Sequence, residues 1–143
     1  MSASGHPLLE VEGLVVSYGA SPALKGVSLR VQRGELVALL GANGAGKSTT
    51  LAAIMGWLRP SAGTIRLDGE PITALRTQER VRRGIAICPE GRQVFGRLTV
   101  EENLRLGAYL HADPRAVASD LQRVLELFPR LGERLRQRAG SLS

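Results

Sequence analysis

The 143-residue chain has little cysteine, few aromatic residues and no long apolar run. Its one cysteine, Cys88, excludes an internal disulfide and suits a reducing compartment. Two Phe, two Tyr and one Trp leave Leu, Val, Ile and Ala to build the core. No window approaches the roughly 20 apolar residues that a membrane span needs, and the polar residues 1–7 predict no signal peptide. We therefore expect one modest globular domain.

The net charge of +6 is distributed unevenly along the chain. Residues 74–143 carry 13 basic and 8 acidic side chains, whereas residues 1–73 carry 6 and 5. A basic half can indicate a nucleic-acid or anionic-membrane partner. However, the aromatic side chains of a base-stacking surface are scarce. We therefore expect a solvated, Arg-rich helix face and no nucleic-acid partner.

A glycine-rich segment between an apolar run (residues 36–40) and a predicted helix carries the most information. Gly41, Gly46, Lys47 and Ser48 fit the pattern G-x-x-x-x-G-K-[ST]. Glycines let successive backbone N–H groups point at one anion, and the helix N-terminus adds further N–H groups. Lysine can reach the β- and γ-phosphates, and the serine hydroxyl can ligate Mg²⁺. The predicted phosphate-binding residues are Gly41, Ala42, Asn43, Gly44, Ala45, Gly46, Lys47, Ser48 and Thr49.

Two other interpretations compete with this phosphate-binding loop, or P-loop. One is a strand-to-helix turn that binds no ligand. The other is the dinucleotide motif G-x-G-x-x-G, which fails because residue 43 is Asn where that motif has its second Gly. Lysine is also rare in this chain, which has 19 basic residues but uses Lys only at positions 25 and 47. An ammonium at position 47 therefore favours a point-charge contact to phosphate.

Hydrophobic periodicity predicts a β-rich first part of the chain. Residues 9–16 and 27–31 alternate between apolar and polar side chains, which is typical of half-exposed strands. Residues 36–40 and 85–88 are continuous apolar runs, so we expect strands buried on both faces, with Cys88 ending the second. A short strand is expected at 64–67 and a short helix at 78–83.

From Thr99 onward the sequence predicts helices. Thr99 and Glu102 have the spacing of a capping box. Asp113 and Pro114 suit the N-cap and first position of the next helix. A third short helix is expected at 131–135. The apolar face of the middle helix comprises Val117, Leu121, Val124, Leu125 and Phe128.

With the P-loop in place, several segments in one order resemble the nucleotide-binding domain of ABC transporters. The resemblance implies an α/β P-loop NTPase fold with an antiparallel β-subdomain, a helical subdomain and the C-terminal part missing. It implies one domain over residues 1–143, divided into 1–90 (β-subdomain and P-loop core) and 91–143 (Q-loop and helical subdomain). The matching segments are residues 16–19, 41–49, 59–65, 88–95, 98–104 and 142–143.

The resemblance assigns roles to three further residues. Tyr18 would stack on adenine; the alternative is a half-buried tyrosine at a strand edge. Glu90 occupies the position of the family's Q-loop glutamine, so Lys47 and Glu90 are the expected catalytic residues, and Ser48 and Glu90 the expected Mg²⁺ ligands. The alternative for Glu90 is an ordinary surface charge. Ser143 would begin the signature motif that contacts ATP across a dimer.

The segment around Glu90 resembles the ATPase subunits of branched-chain amino-acid importers, which commonly carry Glu there. This implies ATP and Mg²⁺ as cofactors, with transmembrane permease subunits and a second ATPase subunit as partners. It also implies a peripheral position on the cytoplasmic face of the inner membrane. Alternatives are transport of urea, amides or lipopolysaccharide. A DNA-repair ATPase is disfavoured because no heptad run begins here, and a nucleotide-binding piece without turnover remains an alternative.

By the same resemblance, a complete domain continues beyond Ser143 through the Walker B strand, the catalytic Glu and the switch His. His6 and His111 do not match the switch position. The family's central strands would lie between residues 36–40 and 85–88, so we expect open strand edges on both runs. We also expect that residues 1–143 alone hydrolyse no ATP.

Overall fold

The computed structural model describes residues 6–91 and 93–142, which form two compact units. The first unit ends at Ile87 and the second begins at Cys88. The functional division expected after residue 90 stays a prediction.

The first unit contains an antiparallel sheet of four strands in its described part, in the order β2-β1-β3-β4. The strands are β1 (Leu9–Tyr18), β2 (Ser21–Val31), β3 (Ala62–Leu67) and β4 (Glu70–Pro71). β2 begins six residues earlier than the expected strand at 27–31, because the hairpin pairs Tyr18 directly with Ser21. The central strand β1 pairs on both sides, with Val11 opposite Leu29 and Ile65.

Two helices complete the described part of the first unit, α1 (Lys47–Met55) and α2 (Thr77–Arg82). α1 buries Ala53 and Ile54 in the apolar cluster formed by the sheet. Burial of these side chains fixes the sheet-facing side of α1. The other buried members of the cluster are Val11, Leu14, Val16, Leu24, Ile65 and Ile72.

Both expected buried strands, residues 36–40 and 85–88, are wrong for this structure. Neither run lies in a strand, and Leu36 and Leu40 are 96% and 91% exposed. Cys88 is exposed rather than buried. A strand buried on both faces needs neighbouring strands and covering helices, and the sheet in residues 6–91 is built without these two runs.

The second unit is helical, as expected, with α3 (Val100–Gly107), α4 (Pro114–Leu127), α5 (Pro129–Gly132) and a 3₁₀ turn (Ala139–Ser141). The expected third short helix is present with different bounds, because Pro129 starts α5 two residues before Leu131 and the helix ends at Gly132. In residues 6–91 and 93–142, no helix combines the length and the hydropathy needed to cross a bilayer.

Both predicted helix starts are confirmed. The Thr99 hydroxyl accepts from the Glu102 N–H at 3.2 Å, and the Glu102 carboxylate accepts from the Thr99 N–H at 2.7 Å. Asp113 caps α4 by accepting from the Arg115 N–H at 2.9 Å. These contacts supply partners to N–H groups that a helix leaves unsatisfied at its start.

Main-chain hydrogen bonds join the segment before α3 to the end of the described chain. Leu98 accepts from Ala139 at 2.9 Å, and Gly96 accepts from Gly140 at 3.1 Å. Val100 donates to Gln137 at 2.9 Å. These pairs fix the residues that precede Leu142 against the residues that follow Phe95.

Candidate functional site

Residues 41–49 form a turn that requires glycine at defined points. Gly44 and Gly46 have φ angles of 82° and 90°, in the left-handed region that glycine adopts without strain. A Cβ on Gly46 would also lie 2.5 Å from Leu24 Cδ2 and 3.2 Å from the Ala23 carbonyl oxygen. Position 46 therefore excludes a side chain for two reasons, and the loop packs closely on β2.

The start of α1 provides unpaired N–H groups. Thr50 makes the first bond of the helix, donating its N–H to the Gly46 carbonyl oxygen at 2.8 Å. The N-cap residue is Gly46, which makes no side-chain capping bond. The N–H groups of Lys47, Ser48 and Thr49 therefore have no partner within the helix. Together with the positive end of the helix dipole, this arrangement favours an anion.

The Lys47 side chain folds back over the loop. Its Nζ donates to the carbonyl oxygens of Gly41 at 2.7 Å and Ala42 at 2.8 Å. An ammonium group has three protons, so two hold the ammonium over the loop and the third is available to a phosphate oxygen. The half-buried position restricts the lysine stem, which lowers the conformational entropy lost when a ligand binds.

The loop fits the triphosphate of a nucleotide together with Mg²⁺. Ser48 is exposed in the first turn of α1, where its hydroxyl can serve as an oxygen ligand. Across residues 6–91 and 93–142, no cluster of three or more His, Cys, Asp or Glu side chains is present that could hold a metal. Mg²⁺ sites built from one or two protein oxygens plus substrate phosphates and water need no such cluster.

Tyr18 ends β1 on the hairpin whose second strand contacts the P-loop. Its side chain is 56% exposed, so the ring is not packed into the core. Tyr18 pairs with Ser21 across the hairpin. Ala23 and Leu24 follow Ser21 in β2 and lie against Gly46 of the P-loop. The hairpin thus carries an accessible aromatic ring in the same unit as the P-loop, as adenine stacking requires.

The remaining predicted residues lie in the second unit or outside the described residues. Glu90 is exposed in a bend of the second unit, next to Gly91, whose φ is 79°. Its roles in Mg²⁺ binding and catalysis stay predictions. Ser143 lies outside the described residues, as does Arg92.

Arg80 is a residue that sequence reasoning missed. It is 1% exposed, and its guanidinium donates to four main-chain carbonyl oxygens, two of which belong to α1. Burial lowers the pKa of Arg80 from its ordinary value, although a guanidinium stays protonated. The sequence offers no signal for this role, because Arg80 lies beside the exposed Arg82 and Arg83.

The family profile described as ABC transporter matches residues 24–143 of the chain. Over 136 residues, the chain is 46% identical to the high-affinity branched-chain amino acid transport ATP-binding protein BraG of Pseudomonas aeruginosa, covering 95% of this chain and 58% of BraG. It is 36% identical over 113 residues to BraF, the protein of the same description from that organism, covering 79% of this chain and 44% of BraF.

A solved structure supports the same conclusion. The structure of an ATP-binding subunit of an ABC transporter superposes with a TM-score of 0.81 at 39% sequence identity. The match covers 95% of this chain and 56% of the solved one. The chain therefore spans about half the length of the relatives that it matches.

Proposed function

The chain belongs to the ABC transporter family, and from this premise we propose that it is part of the ATP-binding subunit of an ABC importer. We further propose that the cargo is a branched-chain amino acid, because both BraG and BraF are named for that transport. Those names favour this cargo over urea, amides and lipopolysaccharide. The observation that carries ATP binding is the P-loop, where Lys47 lies over a glycine turn that opens into α1.

The P-loop residues bind and orient the phosphates. The N–H groups at the start of α1 donate to phosphate oxygens, and Lys47 contributes its remaining proton and its positive charge. Tyr18 stacks on the base and so selects a nucleotide over a free polyphosphate. Because the glycine turn has no side chains at positions 44 and 46, the backbone can approach the phosphates closely.

Ser48 and Glu90 are the proposed oxygen ligands of Mg²⁺. When bound, Mg²⁺ neutralises charge that develops on the phosphates during hydrolysis. Glu90 offers an oxygen as a glutamine would, but an ionised carboxylate cannot donate a hydrogen bond to an attacking water. A carboxylate close to a cation is also a weak base. Glu90 therefore contributes to metal binding and not to proton abstraction.

The transporter supplies the other proposed partners. Two ATP-binding subunits would enclose two ATP molecules, with the P-loop of one facing Ser143 of the other, and permease subunits would hold both at the cytoplasmic face of the membrane. By the family resemblance, the Walker B Asp, catalytic Glu and switch His have no counterpart in residues 1–143. We therefore propose that a polypeptide of these residues alone binds ATP without hydrolysing it.

Reconstitution tests the proposed function. The full-length protein that carries this chain, combined with its permease subunits and a substrate-binding protein in vesicles, should hydrolyse Mg-ATP and accumulate leucine, isoleucine or valine. Arabinose and urea are the comparison cargoes, and omission of Mg²⁺ is the control for the nucleotide. Uptake of a comparison cargo but of no branched-chain amino acid would overturn the proposed cargo. Failure to bind ATP would overturn the whole proposal.

A further inference from the structure

The buried side chain of Arg80 links α2 to the end of the P-loop helix. Nη1 donates to the carbonyl oxygens of Ala53 at 2.7 Å and Ile54 at 2.8 Å. Nη2 donates to Thr73 at 2.8 Å, and Nε donates to Leu75 at 3.0 Å. One guanidinium thus joins two turns of main chain that are far apart in sequence.

Helix α1 cannot supply all the hydrogen-bond donors that the carbonyl groups of Ala53 and Ile54 can accept. Ala53 and Ile54 belong to the last turn, whose C=O groups lack ordinary helical partners. Helix α1 has no basic residue of its own in that turn. Arg80 therefore supplies, from another element, the positive charge that a helix C-terminus favours.

Helix α1 depends on such contacts for its placement. It has nine residues and no side-chain cap at Gly46, and helices this short are marginal on their own. Its length is about 13 Å, so its C-terminus lies roughly that far from the first-turn N–H groups that serve the phosphates. A shift at the Arg80 end therefore changes the direction in which Lys47, Ser48 and Thr49 point.

We propose that Arg80 is a positioning residue for nucleotide binding, which holds the P-loop helix in the orientation that aims its first turn at the phosphates. This rests on the proposed ATP-binding function of the P-loop. The planar fork suits this role and an ammonium does not, because four acceptors surround the guanidinium at its edges. Gly56 leaves room for the fork: a Cβ there would lie 3.0 Å from Arg80 Nε.

The test compares variants at two arginines in the full-length protein. Arg80→Met keeps much of the side-chain volume and removes the donors, and Arg80→Lys keeps a charge. Arg83→Met is the matched control, because Arg83 is exposed and its Nη1 donates at 3.3 Å to the Glu79 carbonyl oxygen. Calorimetric titration gives the Kd and the binding stoichiometry for Mg-ATP and for inorganic tripolyphosphate, and thermal unfolding gives the stability.

We expect Arg80→Met to raise the Kd for both ligands by the same factor, about tenfold, the equivalent of one hydrogen bond to phosphate. Stoichiometry should stay near that of the wild type, Arg80→Lys should fall between, and Arg83→Met should match the wild type. A folded Arg80→Met with unchanged Kd and a lowered stoichiometry or melting temperature would assign Arg80 to fold stability alone and overturn the proposal.

If Arg80→Met does not fold, Arg80→Lys decides: an unchanged Kd for both ligands overturns the proposal, and a raised Kd for both supports it. The proposed function fails separately, when the wild type binds no ATP or when Lys47→Ala binds it normally.

Discussion

Gly140 crosses Gly96 so closely that a Cβ on Gly140 would lie 3.0 Å from the Gly96 Cα. The Gly140 N–H also donates to the Gly96 carbonyl oxygen at 3.1 Å. The contact is between main chains, so neither side can yield by changing a rotamer. It ties the segment that follows Phe95 to the residues just before Leu142.

We predict that Gly140→Ala destabilises the full-length protein by about 1–3 kcal/mol, the usual cost of an added methyl group that forces backbone to shift. Gly107→Ala is the control, because a Cβ on Gly107 has no atom within 4 Å. Chemical denaturation measures both. Equal stabilities of the two variants would contradict the close crossing.

Tyr18→Ala should weaken Mg-ATP binding by about 1–2 kcal/mol, because it removes one aromatic–base stack. The affinity for tripolyphosphate should hardly change, since the ring contacts the base alone. Tyr109→Ala serves as the control, because Tyr109 is exposed in the second unit. Equal weakening of both ligands in Tyr18→Ala would make Tyr18 a structural residue.

Glu102 should contribute a pH-dependent stability. Hydrogen bonds from the Thr99 N–H, and then from its hydroxyl, hold the pKa of Glu102 below the ordinary value. A lowered folded-state pKa gives a contribution that is complete above the ordinary pKa of about 4.3. It is lost as the pH falls through the lower folded value.

Glu102→Gln should remove this dependence and keep the cap, because Gln also fits the capping box. The stability advantage of the wild type over Glu102→Gln should therefore shrink as the pH falls below about 5. Glu126→Gln is the control, because Glu126 accepts only from Gln122 on an exposed face of α4 among the bonds described. A wild-type advantage that stays constant over this range would count against the cap.

The features that could be predicted from the sequence depend on local chemistry. The capping pair Thr99 and Glu102 and the glycines around Lys47 determine the conformation of the segments in which they lie. Their sequence patterns were therefore enough to predict the structure of those segments. The strands expected at 36–40 and 85–88 failed because strand formation requires partners elsewhere in the chain, which an apolar run does not specify. Arg80 was missed because arginine is rarely buried, and its acceptors are carbonyl groups that every residue carries.

Phe95 should crosslink to a permease subunit. It is 63% exposed beside the exposed Val94, and aromatic residues are enriched at interfaces. Its backbone is held in place, since its N–H donates to Asn103 Oδ1 at 2.9 Å and its carbonyl accepts from Asn103 Nδ2 at 3.1 Å.

The experiment introduces Phe95→Cys into a Cys88→Ser background, because the native Cys88 is exposed and would react. Phe128→Cys is the control, since Phe128 is similarly exposed in the same unit. A crosslink at position 95 and none at 128 is expected in the assembled transporter. Absence of any crosslink from position 95, with or without nucleotide, would remove Phe95 from the interface.

Binding of a fluorescent ATP analogue to Lys47→Ala in the full-length protein tests the central claim most directly. Lys25→Ala is the matched control, because Lys25 is exposed on β2 and is the chain's other lysine. We predict that Lys47→Ala abolishes detectable binding, since the lost ammonium is the point charge on the phosphates. Thermal unfolding should show that the fold of Lys47→Ala is intact. Lys25→Ala should bind the analogue as the wild type does. Near-wild-type affinity in folded Lys47→Ala would contradict the assignment of residues 41–49 as a nucleotide-binding loop.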